Sequence, residues 1–157
     1  MMPEPWKTVA GWDPGASGAV CALLLDASGH VQSVESIRFS RSTDTDVVDF
    51  MREFQPDFTV LEKVTSFGMG RGSAFKFGAT FGFAQGVMLS LGARFDLVTP
   101  PKWQRPFSVP KSDGPQRKRK LKAIAQRLYP GRRIVLEDAD AHLIAEHARR
   151  LLLQRSK

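Results

Sequence analysis

The chain has 157 residues, 42% of them hydrophobic and 25% charged, with a formal net charge of +7. At roughly 100–200 residues per domain this predicts a single domain over 1–157, and the composition excludes wholesale disorder. A single cysteine, Cys21, excludes an internal disulfide framework, and no apolar run reaches the roughly 18 residues of a membrane span.

Met1 to Lys7 is Pro-rich and lacks the basic-then-apolar order of a signal peptide, which predicts a cytoplasmic protein with no membrane partner. The positive charge is unevenly placed. Residues 1–100 carry 8 Lys and Arg against 11 Asp and Glu, whereas residues 101–157 carry 15 against 5. A basic C-terminal third on a near-neutral body predicts a polyanionic partner, most simply nucleic acid.

Thr8 to Trp12 reads as a buried strand that ends at the turn signal Asp13-Pro14-Gly15. Gly18 to Leu25 is a continuous apolar strand, and Val31 to Phe39 alternates as a third. The short connections predict an antiparallel meander. Asp44 to Phe54 places Val47, Val48, Met51 and Phe54 at helical spacing. Phe58 to Leu61 is a short buried strand ending at Glu62, followed by a Gly-rich loop over Val64 to Gly72.

Ser73 is the expected cap of a long helix that runs to about Leu91. Gly78, Gly82 and Gly86 recur every four residues and form one stripe on it. Each costs about 1 kcal/mol against alanine, so the stripe predicts close approach of another backbone, from the sheet or from a second subunit. Phe75, Phe77, Phe81 and Phe83 cover its other faces, which predicts burial on more than one side.

Phe95 to Val98 is a fifth strand ending at Thr99-Pro100-Pro101, and Trp103 follows as a packing anchor, as does Trp12 in the first strand. Asp113 and Pro115 open a helix to about Tyr129, with Leu121, Ile124, Ala125 and Leu128 as its apolar stripe and a basic remainder. A last helix is expected from about Asp138 to Leu153, burying Ala141, Ile144, Ala145, Ala148 and Leu152. The order predicts an α/β layer fold with a mixed five-stranded sheet.

Asp13 ends the first strand and Glu62 the fourth, and strand ends are where functional groups collect in α/β sheets. Adjacent strands lie about 4.8 Å apart, so the two acids can share a cation. Near the C-terminus stands Glu137-Asp138-Ala139-Asp140-Ala141-His142. Glu137 and Asp140 share a helical face; Asp138 joins them only from a loop before the helix. Converging carboxylates repel, and at least one takes a raised pKa unless a hard divalent cation relieves it. Two such ions about 3.5–4 Å apart support phosphodiester hydrolysis. The alternatives are structural: Asp13 closing a turn, Glu62 paired with a base, and Glu137, Asp138 and Asp140 favoured at a helix N-terminus. His142 and His147 read as structural, and Cys21 as core.

The chain resembles the RuvC-type Holliday junction resolvases, particularly their short phage and organellar members, over roughly residues 7–150. The resemblance is carried by Val9-Ala10-Gly11-Trp12-Asp13-Pro14-Gly15-Ala16-Ser17-Gly18, by Leu61-Glu62-Lys63-Val64, and by Ala139-Asp140-Ala141-His142-Leu143-Ile144-Ala145-Glu146. Val98-Thr99-Pro100-Pro101-Lys102-Trp103 and the basic helix ending Leu128-Tyr129-Pro130 match as well. The resemblance implies a ribonuclease H-like fold with helices on both faces of the sheet, a homodimer, and nicking of four-way DNA junctions with Mg²⁺ or Mn²⁺, two ions to a site. It implies Asp13, Glu62 and Asp140 as catalytic, metal-holding acids. The third family acid falls on Glu137, with Asp138 as the alternative. It implies phosphate-holding lysines at Lys102, Lys118 and Lys120 with Arg117 and Lys122 beside them. Phe67 and Met69 match an apolar wedge that enters the junction, flanked by Arg71 and Lys76.

Three rival readings are distinguishable. Another ribonuclease H-like nuclease would cut RNA–DNA hybrids or flaps. An actin-like ATPase would use Asp13 to Gly18 as a phosphate turn, but needs a second such turn and far more chain. A non-catalytic junction binder would bind branched DNA and no cation.

Overall fold

The structure, a computed structural model, describes residues 7–156; the N-terminal segment read above as lacking a signal lies, but for Lys7, outside them. Five strands form one sheet: β1 (Lys7–Asp13), β2 (Ala19–Leu25), β3 (Val31–Arg38), β4 (Phe58–Glu62) and β5 (Phe95–Val98). Their order across the sheet is β3-β2-β1-β4-β5. The meander β1–β2–β3 is antiparallel, and β4 and β5 join parallel to β1 and β4. The sheet is therefore mixed, as expected.

Period-two alternation sends successive side chains to opposite faces. Val9, Cys21, Leu23 and Val60 pack on one face with α4 (Gly114–Leu128) and α5 (Leu136–Arg155). Ala10, Trp12, Val20 and Leu61 pack on the other with α1 (Asp44–Phe54) and α2 (Arg71–Ser90). The central strands are largely apolar because both their faces are covered. A short helix α3 (Pro100–Gln104) takes the Pro-bounded segment around Trp103. Helix α1 is held by a reciprocal cap in which Asp46 N–H donates to Thr43 and Thr43 N–H donates to the Asp46 carboxylate, a device worth about 1 kcal/mol.

Helix α5 lies so close to β1 that a Cβ at Gly11 would stand 2.1 Å from the Ala145 nitrogen and 2.5 Å from the Ala141 oxygen. Both are backbone atoms. Only glycine admits that approach, and the small residues Ala141, Ala145 and Ala148, all fully buried, line the same contact.

Expectations for α2 and α5 are corrected. Helix α2 starts at Arg71 with Gly70 as its N-cap, so Ser73 lies inside the helix and is not the cap. Its N-terminal half is not buried on several sides: Phe75 is 80% exposed, and only Ala84, Val87 and Met88 are buried. Among the described residues, and apart from the helix's own nearby backbone, nothing lies within 4 Å of a Cβ at Gly78, Gly82 or Gly86, so the sheet is not what the stripe approaches. Aromatic content predicted burial, but no side chain in this half of α2 is fully buried. Helix α5 begins at Leu136, two residues earlier than expected, which puts Asp138 inside the helix and removes its loop position. It is also buried more widely than one stripe, because the sheet and α4 enclose it; Leu152 is only partly buried.

Candidate active site

The sheet register sets the site. Asp13 pairs with Ala19, Ala19 with Arg38, and Trp12 with Leu61, so Asp13 and Glu62 end neighbouring parallel strands at the same edge of the sheet. The approach of α5 over Gly11 brings its first turns to that edge and with them Asp140. The Asp13 carboxylate also closes its own turn: Gly15 N–H donates to Oδ1 at 3.2 Å, and Gly18 N–H donates to the Gly15 carbonyl at 2.9 Å. The turn reading of Asp13 therefore holds through Oδ1, and no hydrogen bond among the described residues occupies Oδ2.

The three acids are electrostatically one group. Burial raises the Asp13 pKa, against the Gly15 N–H and the Lys118 ammonium, which lower it. Burial pushes Glu62 up to about 8, helped by the charges of Asp13 and Asp140 and opposed by the Trp103 N–H and Lys118. Burial pushes Asp140 up to about 6, helped by Asp13 and opposed by Lys118 and Arg117. Lys118 thus faces all three carboxylates from α4.

Trp103 does more than pack. Its indole Nε1–H donates to Glu62 Oε2 at 2.7 Å in a buried contact, which fixes the orientation of that carboxylate. A tryptophan a few residues past the fifth strand looks like core in a sequence, and nothing in its spacing announces the bond. Trp103→Phe keeps the ring and removes the donor. The Glu62 midpoint, followed by NMR titration of its side-chain carbon, is expected to rise by about one unit, the worth of a hydrogen bond to a charged group. An unmoved midpoint would show that the bond does not act on Glu62.

Glu137 and Asp138 part company. The Glu137 carboxylate accepts from the Ser40 hydroxyl, just past the end of β3. Asp138 is buried, and its Oδ1 accepts from Val135 N–H at 2.9 Å, capping α5, while Oδ2 accepts from Ser36 Oγ at 3.4 Å. Neither is among the charges that move Asp13, Glu62 or Asp140. His142 is fully buried, donates from Nδ1 to the Asp138 carbonyl at 2.6 Å, and is held neutral by burial. His147 is buried on α5 and held neutral in the same way.

The remaining basic residues are spread. Arg117 faces Asp140 while its guanidinium donates to Gln104 Oε1, tying α4 to α3. Lys102 is exposed on α3 and lies near His147. Lys120 and Lys122 are half-buried on α4. None of these three lysines acts on the acid group. Phe67 is 94% exposed and Met69 is exposed on the loop before α2, so local packing does not account for Phe67. Arg71 and Lys76 are exposed on the first turns of α2.

Among the described residues no three His, Cys, Asp or Glu side chains form a ready-made metal-ligand group. The donor chemistry nonetheless fits a hard cation. Asp13, Glu62 and Asp140 offer oxygen donors only, and their mutual repulsion is what a divalent ion relieves.

The acid group also sets a pH dependence. Glu62 titrates near 8 in the fold and near its ordinary 4.5 when unfolded, so the folded state holds the extra proton between those values. Stability is present below the lower value and lost as pH climbs through the upper one. His142 and His147 run the other way, gaining stability as pH rises to their ordinary 6.5. Above that, Glu62 dominates. The ligand-free protein is expected to lose about 2 kcal/mol between about pH 6.5 and 8.5, or roughly 4–8 °C in Tm. Scanning calorimetry across that range checks it; a flat profile would mean that Glu62 is not charged against its surroundings.

No known protein family's profile matches this chain, and no curated protein matches it in sequence. Solved structures do match in shape. Thermus thermophilus RuvC in complex with a Holliday junction substrate superposes with a TM-score of 0.64 at 16% identity, over 96% of both chains. Thermus thermophilus RuvC alone gives 0.65 at 16% identity, over 94% of this chain and 96% of that one. The fowlpox virus resolvase bound to Holliday junction DNA gives 0.58 at 14% identity, over 93% and 99%. The fold is therefore ribonuclease H-like, with helices on both faces of a mixed sheet.

Proposed function

We propose that the protein is a structure-specific endodeoxyribonuclease that resolves four-way DNA junctions. One observation carries the reading: three acids held up by burial meet at one sheet edge, the charge of Asp13 raising Glu62 and Asp140 and that of Asp140 raising Glu62, while Lys118 faces all three. Such a group, beside a basic helix, is suited to a phosphodiester. The likeness to solved Holliday junction resolvases adds support.

In this mechanism Asp13, Glu62 and Asp140 would hold one or two Mg²⁺ or Mn²⁺ ions, with Glu137 the candidate to complete the set because the Asp138 carboxylate already caps α5. Bound there, such ions would supply the positive charge that in-line hydrolysis of a phosphodiester needs. Lys118 draws the strand's phosphate toward the acids. Trp103 holds Glu62 in place. No residue of this group forms a covalent intermediate. Asp138, committed to capping α5, contributes to the position of Asp140 rather than to the ligand set.

Two nicks at symmetric positions require two active sites related by a two-fold axis. The exposed face of α2, with Gly78, Gly82 and Gly86 open and Phe75 and Leu89 exposed, is the surface we assign to the second copy. Without an apolar membrane-spanning helix among the described residues, we place this activity in the cytoplasm of a bacterial or phage-infected cell.

The test is cleavage of a labelled four-way junction, with duplex, flap and RNA–DNA hybrid as controls, with and without Mg²⁺ or Mn²⁺. Paired nicks on the junction are the expected result. Preferential cleavage of hybrid or flap would move the function to another ribonuclease H-like activity. Tight junction binding with no cleavage would make the protein a binder.

Phe67 provides a separate check. An exposed aromatic on a Gly-rich loop can enter a base step and unstack it, a cost of a few kcal/mol. Phe67→Ala is expected to leave Tm unchanged and to cut junction cleavage by about tenfold, with less effect on duplex binding. Fluorescence of 2-aminopurine at the crossover would report the lost unstacking, and wild-type fluorescence from the variant would remove Phe67 from this role.

A further inference from the structure

A second charged cluster lies outside the acid group. Arg38 at the end of β3, Arg41 just beyond it, and Arg132 and Arg133 in the α4–α5 connection line one cavity of about 300 Å³, with Ser36, Val135 and Asp138. Two of these arginines come from the acidic first hundred residues and two from the basic third, so only the fold brings them together.

The cluster is not accounted for by internal ion pairs. Arg132 is engaged: it donates to Glu35 Oε2 at 3.1 Å and to Ser36 Oγ at 3.1 Å. The Asp138 carboxylate is spent on the Val135 N–H and the Ser36 hydroxyl. Arg38, Arg41 and Arg133 make no salt bridge among the described residues. Like charges gathered this way repel, by about 1 kcal/mol per close pair in water and more near a protein surface. The cavity also opens at the first turn of α5, whose dipole adds to the positive potential. Guanidinium groups match phosphate oxygens in geometry as well as charge.

The position is informative. Arg38 pairs with Ala19 and Ala19 with Asp13, so Arg38 stands two strands from Asp13 at the same sheet edge. Two strand spacings are about 10 Å. That is too far for one phosphate to meet both groups and close enough for one nucleic-acid strand to cross both.

We propose that Arg38, Arg41, Arg132 and Arg133 form a binding site for a second backbone phosphate of the strand being cut, beyond β2 from the acid group. The site would fix the register of the strand over Asp13 without reading its sequence. The inference rests on the function proposed above for its choice of polyanion.

The test is the salt dependence of DNA affinity, measured by fluorescence anisotropy on a four-way junction and on a plain duplex. R41A/R133A removes two exposed side chains without partners, so the fold should survive, as circular dichroism would verify. The slope of log K against log salt is expected to fall by about one, and affinity at moderate salt by about five- to tenfold. R41K/R133K keeps the charges and is expected to keep the slope. Arg52→Ala, an exposed arginine of α1 that pairs with Asp49, should change nothing. A wild-type slope from R41A/R133A, or an alanine-like slope from R41K/R133K, would overturn the site. Equal wild-type affinity for junction and duplex, with the slope still reduced in R41A/R133A, would instead remove the junction reading and leave the phosphate site standing.

Discussion

Asp140→Asn is expected to abolish junction cleavage, by at least about 10³-fold, while junction affinity stays within about twofold of wild type. Removing one charged group from a preorganised site costs about 10²–10³ in rate, and a lost cation ligand adds to that. Binding should be spared because the proposed function assigns the strand to Lys118 and the other basic residues, not to a carboxylate. The same substitution should also stabilise the fold. Asp140 is one of the charges that push Glu62 to about 8, and asparagine keeps the shape while removing the repulsion. Glu62 should then titrate lower, and Tm above neutral pH should rise. A merely structural Asp140 would give the opposite pair of results, lower Tm and intact cleavage. Gel assays of both DNA strands, single-turnover, together with calorimetry, distinguish the two. Full cleavage by the variant would remove Asp140 from the chemistry.

Much of this was legible in the sequence because local signals agreed. Thr8 to Trp12 and Phe58 to Leu61 are apolar runs stopped by Asp13-Pro14-Gly15 and Glu62, so each strand announced itself together with the acid at its end. The mixed sheet followed from short turns early in the chain and helical connections later. What stayed illegible depended on distance in sequence. Trp103 and Glu62 are 41 residues apart, and their hydrogen bond exists only because β5 and α3 return beside β4. Arg41 and Arg133 share a cavity across 92 positions for a similar reason. Helix α2 misled for a different one. Aromatic residues predict burial only if something in the same chain covers them, and Phe75 has nothing there to cover it. Asp138 looked like a ligand by type, but a buried acid three residues after an N-cap has a stronger local use, which is to accept the cap's N–H.

The second large expected effect concerns Gly11, which touches no substrate. Gly11→Ala adds one methyl group where backbone atoms of α5 stand 2.1 to 2.6 Å away. Ordinary carbon contacts begin near 3.5 Å, so the helix must retreat by about 1 Å or the strand must bend. Neither is a side-chain adjustment, because the obstructing atoms belong to Ala141, Ile144 and Ala145 of the helix itself. The cost is expected to reach about 3 kcal/mol, at the upper end for overpacking. Function should suffer beyond that loss. Asp140 rides on the same helix, one residue before Ala141, and Asp13 lies two residues past Gly11 on the strand. A retreat of α5 therefore opens the distance between two acids that the proposed function places on one phosphate, and a misplacement of about 1 Å can cost about 100-fold in rate. The expected result is a protein that is folded at low temperature, binds junctions, and cuts them about 100-fold more slowly. Measuring cleavage well below the variant's Tm separates the two effects. Wild-type rates there would mean that the close packing of α5 on β1 stabilises the fold but does not set the spacing of the acids.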